Sequence, residues 1–333
     1  MSGIERGDHS GADRPKGGVG AIGREASMFG GVEAGGTKFV CVIGTGPDDI
    51  LETQRIEVTS PTDTLGAALG FFRRAVESGN WLDAIGIGSF GPVELRQDQA
   101  RYGRITTTPK GGWSGTDIVG PFAAAFGIPV GYDTDVNAAA LAEGRWGAAR
   151  GLDSFVYLTL GTGVGGGAVI HGKPLHGLLH PEMGHIAVPR RRGDRFEGLC
   201  PFHGDCLEGM ASGPAIGARF GRRAELLEGA DRESAVKLAG FYLAAGVRSI
   251  VYALAPERIV VGGGLSEMPG VVAAARAELR GQLRGYPGLP EHDDEDFLVL
   301  AYLRSMAGPA GTLILAEQAL ELAGNTAVAH AAS

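Results

Sequence analysis

The chain has 333 residues, 44% of them hydrophobic, with 30 basic against 38 acidic side chains and a formal net charge of −8. At roughly 100–200 residues per domain this fits two domains with a sizeable core. The acidic balance argues against nucleic acid or an anionic membrane as the main partner, since both need a positive field. Residues 1–29 carry Glu5, Arg6, Asp8, Asp13, Arg14 and Lys16 around no apolar stretch. They read as a disordered tail rather than a secretory signal, which places the chain in the cytoplasm. No run of about 18 apolar residues is present, so no membrane span is expected. Cys41, Cys200 and Cys206 are too few, and odd in number, for a disulfide framework.

Residues 31–38 followed by the β-rich run 39–43 predict strand, glycine turn, strand, with a further turn at 44–47. Leu65, Ala68, Leu69, Phe72 and Val76 recur at helical spacing. Residues 84–88 read as a short strand, 115–126 as a helix, 129–132 as a strand and 137–146 as a helix. The apolar strand 155–160 runs into a glycine turn at 161–167 and another strand at 168–170. Strand, glycine turn, strand therefore occurs twice, which reads as an internal duplication with one copy opening each half. A helix is expected at about 233–254, then a strand from Arg258 ending in Gly262, Gly263 and Gly264, then helices at 272–284 and 309–322. The last eleven residues, 323–333, are small and read as frayed.

The second glycine turn matches G-x-G-x-x-G from Gly161, but a dinucleotide fingerprint must open a helix, and here a strand follows. No G-x-x-x-x-G-K-[ST] motif occurs. What remains is two turns with backbone N–H groups and the hydroxyls of Thr37 and Thr162, a chemistry suited to phosphate. The plain alternative is a pair of ordinary hairpin turns. Asp133, Thr134, Asp135 and Asn137 lie between a strand end and a helix. One aspartate could cap the helix, and the other could take the proton of a substrate hydroxyl in phosphoryl transfer.

Cys200, His203 and Cys206 follow C-x2-H-x2-C, with His185 upstream. Two thiolates and two imidazoles suit tetrahedral Zn²⁺, and the thiolates cancel its charge. A closed four-ligand site of this kind is structural; the alternatives are free thiols with solvated histidines, or a disulfide disfavoured in the cytoplasm. Glu182, His185 and Glu208 flank the loop and could bond polyol hydroxyls, or form a solvated acidic surface. Trp113 is a core residue or a sugar-stacking one. Arg190, Arg191 and Arg192 read as a solvated loop.

Taken in order, these motifs resemble the ROK family of sugar kinases over about residues 30–322. The resemblance implies an α/β chain with a two-domain actin/hexokinase-like ATPase fold and an inserted zinc-binding loop. The smaller domain would be 30–131 plus the C-terminal helix 306–322, and the larger 132–305, with the zinc loop at 185–208. It implies that Asp135 is the base and that Thr134, Glu182, His185 and Glu208 meet the sugar, with His185 also holding zinc through its other nitrogen. Gly35, Gly36, Thr37 and Lys38 match the first phosphate loop, and Gly161, Thr162 and Gly163 the second. Pro214, Gly262, Gly263 and Gly264 would line the adenosine side. Zinc would be held by His185, Cys200, His203 and Cys206, and Mg²⁺ would accompany ATP. A homodimer is implied as well.

Most members carry Asp at the position of Glu33, Asn at Thr134 and Cys at His203. These departures, with the segment Ile105, Thr106, Thr107, Thr108, Pro109, Lys110, resemble the fructokinase branch. The expected reaction is phosphorylation of D-fructose by ATP to fructose 6-phosphate. The near alternative is a glucokinase or broad hexokinase. A sugar-responsive transcriptional regulator is the alternative of another class, disfavoured because the first 29 residues are too few and too unpatterned for a DNA-binding helix-turn-helix.

Overall fold

The structure, a computed structural model, describes residues 27–331, with side chains described through residue 325. The expected N-terminal tail lies outside the described residues up to residue 26. Its far end differs from expectation: Met28 donates its N–H to Asp83, and Phe29 already begins the first strand.

The first half holds β1 (Phe29–Ala34), β2 (Lys38–Gly46), β3 (Asp49–Glu57), β4 (Ala84–Ser89) and β5 (Val130–Thr134), ordered β3-β2-β1-β4-β5. Between them lie α1 (Pro61–Glu77) and α2 (Val119–Phe126). The second half holds β6 (Phe155–Leu160), β7 (Val164–Ile170), β8 (Lys173–Pro174), β9 (Arg258–Gly262) and β10 (Leu298–Leu300), ordered β10-β9-β6-β7-β8. The two sheets share one topology, strand for strand. Each opens on an antiparallel pair, β1/β2 or β6/β7, and extends by parallel pairing to β4 and β5 or to β9 and β10. The duplication read from the two glycine turns is therefore a duplication of the whole sheet.

Several local expectations shift. Strand β2 continues to Gly46, past a bulge at Gly44, so the chain turns at Pro47 and Asp48 and returns as β3, which the sequence reading left out. Helix α2 starts only at Val119, because Asp117 and its neighbours bond the Arg104 loop. The C-terminal helix α8 (Ala307–Ala331) includes residues expected to fray.

Two helices cross between the halves. Helix α3 (Asp135–Trp146) leaves β5 and packs on β7 and β6 of the other sheet; α8 leaves β10 and packs on β4, β1 and β5. Part of the unusual glycine content is explained here. Gly31, Gly86 and Gly131 stand side by side in register on β1, β4 and β5, and a Cβ on any of them would strike Thr312 or Leu315 of α8. Gly311 clears the backbone of Ala138 in the same way, where α8 meets α3. The remaining helices are α4 (Leu207–Ala211), α5 (Gly213–Ala218), α6 (Gly229–Leu254) and α7 (Val271–Leu283). By length and composition α6 could cross a membrane, but most of its apolar run is buried in the second half's core, against Leu207, Leu265 and Val271 among others.

Candidate active site and metal centre

The ends of β1, β5 and β6 and the start of α3 converge. At the start of α3 the cap is Thr134, not an aspartate: its Oγ1 accepts the Asn137 N–H at 3.1 Å. Asp133 is buried and accepts from Thr134 N (2.7 Å), Asn137 Nδ2 (2.7 Å) and His176 Nε2 (2.9 Å). Asp135, the first helical residue, is half-buried, with the Val136 N–H on its carboxylate at 2.9 Å. Burial raises its pKa from 3.8 to about 6, against the pull of that bond. It is thus ionised at neutral pH yet basic enough to accept a proton.

The first glycine turn joins β1 to β2. Gly35 N–H closes it on the Lys38 carbonyl at 3.0 Å, leaving Gly36, Thr37 and Lys38 exposed. Glu33, near the end of β1 and two residues before Gly35, lies against Gly308 at the start of α8; burial, then the Asp135 charge, pushes it up to about 7. The second turn joins β6 to β7, with Gly161 N–H on Gly163 O at 2.9 Å and Thr162 exposed. Glu208 braces it, Oε2 accepting the Val164 N–H at 3.0 Å.

Beside this turn is a cavity of about 660 Å³, lined by Gly161, Thr162, Pro214 and Gly264, with Arg223, Glu225, Arg232 and Glu267 around it. The three glycines after β9 therefore divide their roles. Gly264 lines the cavity. Gly262 faces the Tyr157 ring, and Gly263, at φ +87°, lies against the Leu160 backbone.

The zinc candidates converge. His185 Nδ1, Cys200 Sγ, His203 Nδ1 and Cys206 Sγ lie within 4.8 Å of one another. Three S···N separations, Cys200 to His185, Cys200 to His203 and Cys206 to His185, are each 3.6 Å. A tetrahedron with Zn–S of about 2.3 Å and Zn–N of about 2.05 Å has an S···N edge of about 3.6 Å. The donor set and its spacing both fit Zn²⁺. All three cysteines are free thiols, which removes the disulfide alternative. The loop is gathered by Leu207 N–H on Ile186 O (2.9 Å), and Arg190, exposed as expected of a solvated loop, also bonds Phe196 O and pairs with Asp205 at 2.7 Å. His185 presents its other nitrogen, Nε2, 3.9 Å from Glu182 Oε2. Burial, then the charges of Asp135 and Glu208, pushes Glu182 up to about 7.

Trp113 is core: fully buried, its ring beside Phe39 and Phe90, its indole N–H on Thr59 O at 3.1 Å. The sequence reading missed His176 and His180. His180 is buried, accepts the Val93 N–H at 3.0 Å and lies 3.5 Å from Glu182, and burial lowers its pKa. The run H-x3-H-P-E-x2-H, three histidines and a glutamate in ten residues, was the available signal.

Residues 29–319 match the ROK family model. The chain is 43% identical over 294 residues to a fructokinase of Zymomonas mobilis, covering 88% of this chain and 97% of that protein. It is 37% identical over 294 residues to a fructokinase of Pediococcus pentosaceus, covering 88% and 99%. Among solved structures, a ROK hexokinase from Thermus thermophilus superposes with a TM-score of 0.71 at 28% identity, covering 88% of this chain and 99% of that one. A ROK family glucokinase from Streptomyces griseus, in complex with glucose and AMPPNP, gives 0.68 at 25% identity, covering 88% and 100%. With its duplicated sheets, crossing helices and paired glycine turns, this chain belongs to the ROK family and has the actin/hexokinase-like fold.

Proposed function

We propose that this protein transfers the γ-phosphoryl group of ATP to the 6-hydroxyl of D-fructose. The observation that carries the transfer chemistry is Asp135: a carboxylate raised toward neutrality at a strand end, between two glycine turns that offer backbone N–H groups. In this reading Asp135 orients the sugar hydroxyl and takes its proton. Gly35, Gly36, Thr37 and Lys38 hold phosphate from one side, and Gly161, Thr162 and Gly163 from the other. Pro214 and Gly264 border the adenosine, and Mg²⁺ enters with the nucleotide to offset phosphate charge. Glu182, His185 and Glu208 meet the sugar hydroxyls. Thr134 uses its oxygen as the helix cap and keeps its proton to donate.

The choice of fructose leans on the fructokinases at 37–43% identity. Zn²⁺ on His185, Cys200, His203 and Cys206 would be structural, fixing the loop that carries the sugar contacts. The division into a smaller domain (30–131 with the C-terminal helix) and a larger one gives a cleft whose closure would exclude water, a competing acceptor. A cytoplasmic homodimer completes the reading, to be checked by light scattering. The deciding experiment is a coupled ADP-release assay over a panel of hexoses. Fructose should give the highest kcat/KM; a glucose preference would move the protein to the broader hexokinase reading.

A further inference from the structure

We propose that Lys110 is a phosphate-contacting residue of the transfer centre: its ammonium rests on the first glycine turn and meets the transferred phosphoryl group when nucleotide is bound. This rests on the proposed kinase reaction. Lys110 lies 74 positions from Gly36, yet its Nζ donates to the Gly36 carbonyl at the tip of that turn. One acceptor occupies one of three ammonium N–H groups, so two donors remain at the tip.

The loop that presents it is fixed from several sides. Thr106 N–H bonds Pro92 O at 2.7 Å, and Trp113, three residues after Lys110, is anchored through Thr59 and the Phe39 and Phe90 rings. Ser114 bonds both the N–H and the carbonyl of Thr108, at 3.2 Å each. A rigid loop thus ends in a flexible four-carbon stem with a compact charge, the combination suited to following a phosphoryl group over a short distance.

The electrostatics demand such a group. Two carboxylates border this turn, Glu33 near the end of β1 against the start of α8 and Asp135 at the first residue of α3; burial raises both, and the Asp135 charge raises Glu33 further. A triphosphate entering here adds further negative charge. Phosphoryl transfer is catalysed chiefly by positioning and charge stabilisation, so a cation at the turn tip acts where charge collects. Lys38, at the other end of the turn, is the first residue of β2, paired in register with Glu57.

The alternative is a brace that only shapes the turn, and two ligands separate the two roles. In Lys110→Met, the Kd for Mg²⁺–ADP should stay within about 3-fold of wild type, while that for Mg²⁺–AMPPNP weakens about 10-fold or more, the loss of one charged hydrogen bond. The kcat should fall about 10²–10³-fold, as for a lost transition-state donor, with KM for fructose within about 3-fold. Lys110→Arg should recover part of both. Equal weakening of ADP and AMPPNP, or an unchanged kcat, would overturn the proposal. The calorimetric contrast does not depend on which sugar is used. A wild type that binds both nucleotides but releases no ADP with any hexose would sink the kinase reading and with it any part for Lys110 in transfer, leaving only the γ-phosphate contact, and a wild type that binds neither nucleotide would sink both.

Discussion

Replacing Asp135 by Asn should abolish turnover and stabilise the fold. The amide oxygen can still accept the Val136 N–H, so the start of α3 is kept. It cannot accept a proton at neutral pH, and a general base contributes typically about 10²–10⁴ in rate, or about 3–5 kcal/mol of activation free energy. Stability moves the other way. The Asp135 pKa rises from 3.8 to about 6 on folding. At about 1.36 kcal/mol per pKa unit, ionising it in the folded protein costs up to about 3 kcal/mol at neutral pH, an upper bound because the side chain keeps some water. The sign follows from linkage. Below pH 3.8 the group is protonated in both states and costs nothing; between 3.8 and about 6 the unfolded chain ionises first and the wild type loses stability; above about 6 the loss is complete. Asp135→Asn should therefore match the wild type at pH 3.8 and below and gain on it up to about pH 6. At pH 7.5 it should melt a few degrees higher, at about 2–4 °C per kcal/mol for a chain near this size. The assays are ADP release at saturating fructose and thermal melts of both proteins from pH 3.5 to 8. A near-wild-type rate would remove Asp135 from the chemistry, and a lower melting temperature with a parallel pH profile would refute the burial argument.

Metal analysis should find about one zinc per chain, and Cys206→Ser should lose it together with several degrees of melting temperature, since a lost ligand of a structural site costs folding energy; a metal-free protein with unchanged melting and activity would count against the site. Thr134→Ala should cost about 1 kcal/mol through the lost cap, whereas Thr134→Asn, also a good cap, should not. If the Thr134 proton meets the sugar, Thr134→Asn should also lower the fructose-to-glucose ratio of kcat/KM by about 5-fold or more; an unchanged ratio leaves Thr134 as a cap alone. At Gly264, where an added Cβ meets nothing within 4 Å, valine should enter the cavity and raise KM for ATP about 10-fold with little change in melting temperature, while an unchanged KM would put the adenosine elsewhere.

The features legible in the sequence are those whose physics is local. A glycine turn between two apolar β-runs closes on itself, so both hairpins were visible, and with them the duplication. Cys200, His203 and Cys206 can surround one ion because they are close in sequence, and Asp135 stood out at a strand-to-helix junction. The edge strand β3 was not legible, because only one of its faces is partly covered and its residues, such as Glu52, Gln54 and Arg55, read as polar loop. The cap of α3 was misread because Asp and Thr are comparable caps in isolation; what chose Thr134 was Asp133 being drawn aside to His176 and Asn137, a bond across 43 positions. The same holds for the division among Gly262, Gly263 and Gly264, the anchoring of Trp113 on Thr59, and the reach of Lys110 to Gly36. Each depends on which strands lie side by side and which helix crosses them. That order is set by burying the apolar faces of the two sheets and the two crossing helices together, a condition on the whole chain that no single segment carries.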